Sequence, residues 1–209
     1  MTLSISSNLR ESFDFAKDGL VGYWVRWLAL IIISAIPIVN FIAYGYSVKI
    51  YRGVSHAPEL DLDLDSLVAM FIDGLKIFII SLAYMIIPVI LMVTPPFFMD
   101  SFGVVGVLVM FIGFILAIAL CFLSVMGCIR FAKTNSLGEA FNFGALIEKI
   151  GEIGWGNYIL AFLVFFILIC LIAGILSFIP VIGWILIFII VPLLVIWQAK
   201  YFENIYSLA

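Results

Sequence analysis

Long apolar runs separated by short polar stretches fill most of the chain from residue 20 onward. A helix needs ~20 apolar residues to cross a ~30 Å hydrocarbon core. Four runs are about that long: 76–93, 103–127, 157–178 and 181–199. Lipid offers the backbone no hydrogen-bond partner, so runs of this kind are expected to be helical. The pattern predicts four membrane-spanning helices.

A fifth apolar region, 20–51, is interrupted by Pro37 and can form either one broken span or two short helices. Because Lys and Arg collect on the cytoplasmic side of a membrane, their positions favour two helices. Two crossings keep both flanking basic groups inside, namely Arg10, Lys17 and Arg26 before the region and Lys49, Arg52 and Lys76 after it. We expect six hydrophobic helical segments in three hairpins, with both termini cytoplasmic. The first hairpin is either fully spanning or shallow.

Two further segments, 8–19 and 137–152, have the spacing of amphipathic helices at a membrane surface. The apolar face predicted for the first consists of Leu9, Phe13, Ala16 and Leu20. The expected fold is an all-α integral membrane protein with a single membrane domain over 1–209. It comprises an amphipathic helix plus the first hairpin at 8–52, the second hairpin at 66–128, and an amphipathic helix plus the third hairpin at 136–200.

A motif in the first amphipathic segment, at 9–16, returns at 137–144 with the pattern Leu-x-Glu-x-Phe-Asp/Asn-Phe. Asn8 and Ser136 precede the two copies and are the expected N-caps, each with a Glu three residues later as in a capping box. An Ile-Pro turn follows each copy further along the chain. The similarity favours an internal duplication over chance in an apolar chain, and the intervening hairpin makes the repeat parallel.

Composition adds little chemistry to this plan. Hydrophobic residues make up 66% of the chain and charged residues 11%, and the formal net charge of −3 argues against a nucleic-acid partner. Cys121, Cys128 and Cys170 lack metal-ligand spacing and are interpreted as packing residues. The sequence predicts no catalytic residue, no cofactor and no metal.

Polar motifs outside the spans each have a functional and a structural interpretation. The alternating acids of 59–65 resemble the start of a calcium loop, but Ser66 stands where that loop needs Gly and Ile72 where it needs Glu. An extended linker is the favoured interpretation. His56, without a nearby second ligand in sequence, is interpreted as a solvated loop residue. Asp73 and Lys76 are expected to form an i,i+3 ion pair.

Small residues recur every three to seven positions along one face of the fourth segment. This possible helix-packing stripe consists of Gly106, Gly113, Ala117, Cys121, Ser124 and Cys128. Charge is nearly absent inside the spans, whereas carriers of ions usually keep ionisable residues there. The sequence therefore argues against ion-coupled transport.

Several short stretches resemble the mostly archaeal domain of unknown function 4013 family. The resemblance rests on Gly45-Tyr46, Arg52, Ala57-Pro58-Glu59-Leu60, Phe71-Ile72-Asp73-Gly74-Leu75-Lys76, Tyr84, Pro88 and the turn Ile179-Pro180-Val181-Ile182-Gly183. It implies a multi-pass membrane protein from an archaeon and brings no established activity.

Three functions are compatible with these features. The favoured one is a non-catalytic scaffold or accessory subunit in the cell membrane, whose partners are the lipid bilayer and other membrane protein subunits or a second copy. The alternative is a permease or channel for neutral or apolar solutes, which a polar cavity lined by Tyr44, Tyr84, Ser124 and Asn157 would favour. A membrane enzyme using His56 ranks third.

Overall fold

The computed structural model describes residues 4–98 and 103–208, which form helices joined by short segments. No strand occurs in these two ranges. The helices are α1 (Ile5–Leu20), α2 (Trp24–Ala35), α3 (Phe41–Tyr51), α4 (Leu64–Phe98), α5 (Val104–Thr134), α6 (Phe143–Ile153), α7 (Trp155–Ser177) and α8 (Ile182–Ser207), with a 3₁₀ turn at Gly138–Phe141.

Four of the described helices, α4, α5, α7 and α8, are long and apolar enough to cross a membrane, as predicted. A fifth span is possible only if α1 and α2, which meet at a 101° bend, are taken together. With 12 and 11 residues, α2 and α3 are ~18 and ~16 Å long and too short to span alone. Six separate spans are therefore not confirmed. Residues 94–102, which join the predicted spans 76–93 and 103–127, lie partly outside the described residues.

The short helix α3 is central to the packing, because it lies against α4, α5 and α8. Its backbone meets that of α4 at two glycines. A methyl group on Gly45 would overlap the carbonyl of Met70, and one on Gly74 would overlap the carbonyl of Phe41. No larger residue fits at either position without moving a helix.

The turn between α2 and α3 lies well short of the far end of α4. Phe41, at the start of α3, packs against Phe71 and Phe78, and α4 continues for about 30 Å beyond that contact. α2 lies mainly against α8, where the Trp27 indole donates to the carbonyl of Ile189 at 2.8 Å. Relative to α4 the first hairpin is thus shallow, and its two helices lie on different neighbours.

Large buried side chains are confined to one half of the molecule. We call residues 85–95, 103–118 and 166–191 the far halves of the α4/α5 and α7/α8 hairpins. Within them the buried residues are all Pro or Gly, namely Pro88, Pro95, Gly106, Gly113 and Gly183. Apart from the contact of α2 with α8 at Ile189, each far half is therefore a thin helical hairpin rather than part of a bundle core.

The N-caps predicted for the two motif copies are both wrong. Ser4 precedes α1, and Asn8 lies inside the helix instead of capping it. Ser136 precedes a 3₁₀ turn, and α6 is capped by Asn142, whose side chain accepts from the Ala145 N–H at 3.3 Å. Because one copy is a continuous helix and the other is broken, the internal duplication is not confirmed.

Candidate functional site

The end of the molecule opposite the far halves carries a network of paired charges, and we call it the charged end. Its centre is Glu203 on α8, whose side chain is only 4% exposed. One carboxylate oxygen accepts from Lys133 of α5 at 3.0 Å, and the other accepts from Lys200 at 2.8 Å. Ser207 donates to the same carboxylate at 2.6 Å, and Lys200 also donates to the carbonyl of Val54. Glu203 therefore joins α5, α8 and the segment after α3.

Two further ion pairs tie other elements to the charged end. Asp73 accepts from Lys76 at 3.1 Å, which confirms the predicted i,i+3 pair, and also from Arg52 at 2.7 Å. Arg130 near the end of α5 donates to Glu139 in the 3₁₀ turn at 2.7 Å. The first contact links the end of α3 to α4, and the second links α5 to the 3₁₀ turn.

The helix α1 lies along α8 by a face that includes Ala16 and Leu20 of the predicted apolar face and extends to polar residues that were not predicted. The residues buried in α1 are mostly small or polar: Asn8, Ser12, Ala16, Gly19 and Leu20. Asn8 donates to the carbonyl of Tyr201 and accepts from Asn204, and the Trp197 indole donates to the Leu9 carbonyl and Ser12 hydroxyl at 3.1 Å. Specific hydrogen bonds thus add to the apolar contacts of Ala16, Leu20 and Phe13 in holding α1 in place.

A cleft of about 900 Å³ opens between α1, residues 55–59 and α8. Acids and bases both line it, and the acids outnumber the bases: Glu11, Asp14, Asp18, Glu59, Arg26 and Lys200. His56 is also in the lining, with its Nδ1 3.0 Å from the Ser55 hydroxyl. Among the described residues no three His, Cys, Asp or Glu side chains are close enough to hold a metal ion.

The acidic run 59–65 does not converge on one point. Asp61 lies 3.8 Å from the Lys49 ammonium, while the Asp63 carboxylate accepts from the Ser66 N–H at 2.8 Å at the start of α4. Glu59 faces the cleft. Asp61 thus pairs with a cation, Asp63 caps a helix and Glu59 lines the cleft.

A second cavity, of about 180 Å³, lies among the spanning helices, and we call it the hydroxyl pocket. Its lining comes from four helices: Tyr44, Ser47 and Tyr51 of α3, Ile77 and Ser81 of α4, Ser124, Val125 and Cys128 of α5, and Val195 and Gln198 of α8. Of the four residues whose shared cavity would favour a permease, Tyr44 and Ser124 are brought together. Tyr84 and Asn157 are not among the lining residues; Tyr84 donates instead to the carbonyl of Ala140.

The six small residues of α5 divide between the two halves of the molecule. Gly106 and Gly113 are buried, and a methyl on Gly113 would lie 2.9 Å from Leu91 of α4. Ala117 and Cys121 are half-buried, whereas Ser124 and Cys128 reach the hydroxyl pocket. All three cysteines are free, with Cys128 buried and Cys170 exposed.

Sequence reasoning missed Glu203 and Tyr51, and it assigned Asn8 to a helix cap instead of to the contact with α8. For Glu203 a signal existed, because Lys200 and Glu203 stand three apart at the end of an otherwise apolar segment. For Tyr51 and Asn8 no local signal existed, since their roles depend on which helix packs beside them.

Four long apolar helices with their charges gathered at one end define a membrane-embedded helical protein. Residues 28–181 match the family model described as Protein of unknown function (DUF4013). Because the match covers well over half of the chain, the protein belongs to this family. No curated protein and no solved structure matches the chain significantly.

Proposed function

We propose that the protein is a non-catalytic scaffold or accessory subunit of a membrane assembly. The observation that carries this proposal is the pair of far halves, which expose large apolar side chains over most of their circumference. Examples are Phe111 and Phe114 on α5 and Phe166 and Ile167 on α7. Such surfaces suit lipid or another membrane protein, while the charged end holds the helices in a fixed arrangement.

Site-specific crosslinking from the native membrane tests this proposal. A photoreactive residue at Phe111 or Phe166 is expected to capture a defined protein, either a partner or a second copy. The matched control is the same residue at Phe143, an exposed aromatic at the charged end. Crosslinks to lipid alone from both far halves, together with monomeric behaviour in mild detergent, would contradict the scaffold role.

We also propose that both termini are cytoplasmic. Four spans with a shallow first hairpin, like six spans, give an even number of crossings, and the ion pairs gather most Lys and Arg side chains at the charged end. A reporter fused after Ala209, which lies outside the described residues, is expected to be active only in its cytoplasmic form. Activity on the outer side would refute this orientation.

A permease for neutral solutes is the second candidate, and the hydroxyl pocket is the observation that favours it. Its lining carries no ionised side chain, as a path for uncharged solutes requires. Proteoliposomes containing the protein are expected to swell faster in glycerol than empty liposomes if the pocket is part of such a path. Equal swelling rates would leave the scaffold role as the better proposal.

A further inference from the structure

The side chains that line the hydroxyl pocket are mostly polar, although the helices that carry them are otherwise apolar. Seven of its ten lining side chains carry a hydroxyl, phenol, thiol or amide group, and none is charged. Uncompensated polar groups in an apolar environment cost free energy, so they normally find a partner. The groups available here suit hydrogen bonds to an uncharged ligand.

Tyr51 is the lining residue that most clearly lacks a partner. Its side chain is 9% exposed, and its hydroxyl forms no hydrogen bond with any part of the chain that the structure describes. Of the five other buried tyrosines, four donate to a backbone carbonyl and Tyr206 lies against the ammonium groups of Lys133 and Lys149; the four donors are Tyr46, Tyr84, Tyr158 and Tyr201. The Tyr51 phenol is therefore free to donate to and accept from a molecule in the pocket.

The pocket lies where the spans meet the charged end. A basic residue stands within two positions of a lining residue on all four helices: Lys49 between Ser47 and Tyr51, Lys76 beside Ile77, Arg130 after Cys128, and Lys200 after Gln198. These cations are paired with Asp61, Asp73, Glu139 and Glu203 and do not line the pocket. Tyr44 and Gln198 are exposed on the surface of the bundle, so the pocket can be reached from the side.

We propose that the hydroxyl pocket binds an uncharged group carrying two or more hydroxyls, of the size and chemistry of glycerol. At ~30 Å³ per water, 180 Å³ corresponds to about six waters, which suits a group of about six heavy atoms. The glycerol group belongs either to a free polyol or to a neutral lipid whose chain remains in the bilayer. This proposal does not depend on the scaffold role.

Binding to the purified full-length protein in detergent tests the proposal. The probes are radiolabelled glycerol, measured by equilibrium dialysis, and monoolein, measured by native mass spectrometry; methyl oleate, which has the chain but no hydroxyl, is the control ligand. Tyr51→Phe and Ser124→Ala are each expected to weaken binding about tenfold, the value of one lost hydrogen bond. The matched control is Tyr23→Phe, which removes an exposed phenol outside the pocket.

The outcomes separate the two sources of the ligand. Binding of both glycerol and monoolein supports a free polyol, and binding of monoolein alone supports a lipid glycerol group. The proposal is overturned if neither probe binds, if methyl oleate binds as tightly as monoolein, or if Tyr51→Phe and Tyr23→Phe bind alike. Because the Tyr51 hydroxyl bonds no described residue, its removal is expected to leave the fold intact, and Ser124→Ala provides a second, independent test.

Discussion

Glu203 is the residue on which the charged end depends most. Its carboxylate is buried and accepts from two lysines that belong to different helices. Lys200 also donates to the backbone carbonyl of Val54, which brings the segment after α3 into the same network. Gly53, with φ of +88°, turns the chain over this carboxylate, and a methyl group there would lie 3.4 Å from it.

At this scale we predict that Glu203→Gln destabilises the protein by about 2 kcal/mol. Removing one member of a fully buried pair costs ~3–5 kcal/mol, and the smaller figure reflects the partial exposure of both lysines. Thermal unfolding in detergent measures the effect. The matched control is Glu152→Gln, whose carboxylate pairs with Lys149 at the surface and is expected to cost ~0.5 kcal/mol or less. Equal losses for the two variants would show that Glu203 is not the centre of the network.

At the scale of elements, the contact between α3 and α4 is the closest approach of two backbones described above. It is made possible by Gly45 and Gly74, and both residues belong to the stretches that carry the family resemblance. The structure therefore gives a physical reason for these glycines. Without a side chain at either position, the 11-residue helix α3 can pack closely against α4.

Gly45→Ala is expected to destabilise the protein by about 3 kcal/mol, because the added methyl meets rigid backbone and forces the helices apart. Gly174→Ala in α7 is the control, since nothing lies within 4 Å of the position where its methyl would be. That variant is expected to be neutral or up to ~1 kcal/mol more stable from its better helix propensity. Denaturant or thermal titration distinguishes the two, and a tolerated Gly45→Ala would contradict the close contact.

A second prediction at this scale concerns the docking of α1. Asn8→Ala removes the side-chain bonds to Tyr201 and Asn204 and is expected to loosen α1 from α8. Trypsin should then cleave after Arg10 and Lys17 several-fold faster than in the parent protein. Ser7→Ala changes an exposed hydroxyl on the same helix and should leave the cleavage rate unchanged. Unchanged cleavage of the Asn8 variant would refute the role assigned to this residue.

The sequence predicts the helices that a long, continuous apolar run marks. It does not predict helices whose position depends on contacts with residues far along the chain. The four spans follow from hydrophobic length alone. The shallow first hairpin does not, because α2 and α3 lie on different helices far along the chain. The face of α1 is predicted only in part for the same reason: Ala16 and Leu20 are buried as expected, whereas Asn8 and Ser12 are buried because α8 supplies their hydrogen-bond partners. In the hydroxyl pocket Tyr44 and Ser124 could be anticipated as polar groups within apolar segments, whereas Tyr51 and Gln198 could not.

At the scale of the whole molecule, the core is one-sided. Side chains that face one another fill the half next to the charged end, while the far halves offer theirs to the surroundings. Most of the free energy of unfolding is therefore expected to come from packing in the half next to the charged end. The sequence of the far halves is expected to be constrained by the thickness of the bilayer and by the lipids or proteins that they contact there.

Two phenylalanines on α5 test this asymmetry. Phe131 is 1% exposed and Phe111 is 58% exposed. Phe131→Ala is expected to cost about 3–5 kcal/mol because it leaves a cavity in the core. Phe111→Ala, the same truncation on the same helix, is expected to change stability by only ~0.5 kcal/mol. Unfolding of the two variants in identical detergent gives the comparison, and similar losses would mean that the far halves are packed after all.

The bonds between α1 and α8 also have a consequence for the order of assembly. Asn8 is the acceptor for Asn204 and the donor to Tyr201, so its partners are separated from it by 196 and 193 residues. The ribosome makes α1 long before α8, so α1 cannot dock on α8 until the intervening helices have been translated. A chain that stops before α8 lacks the partners of Asn8.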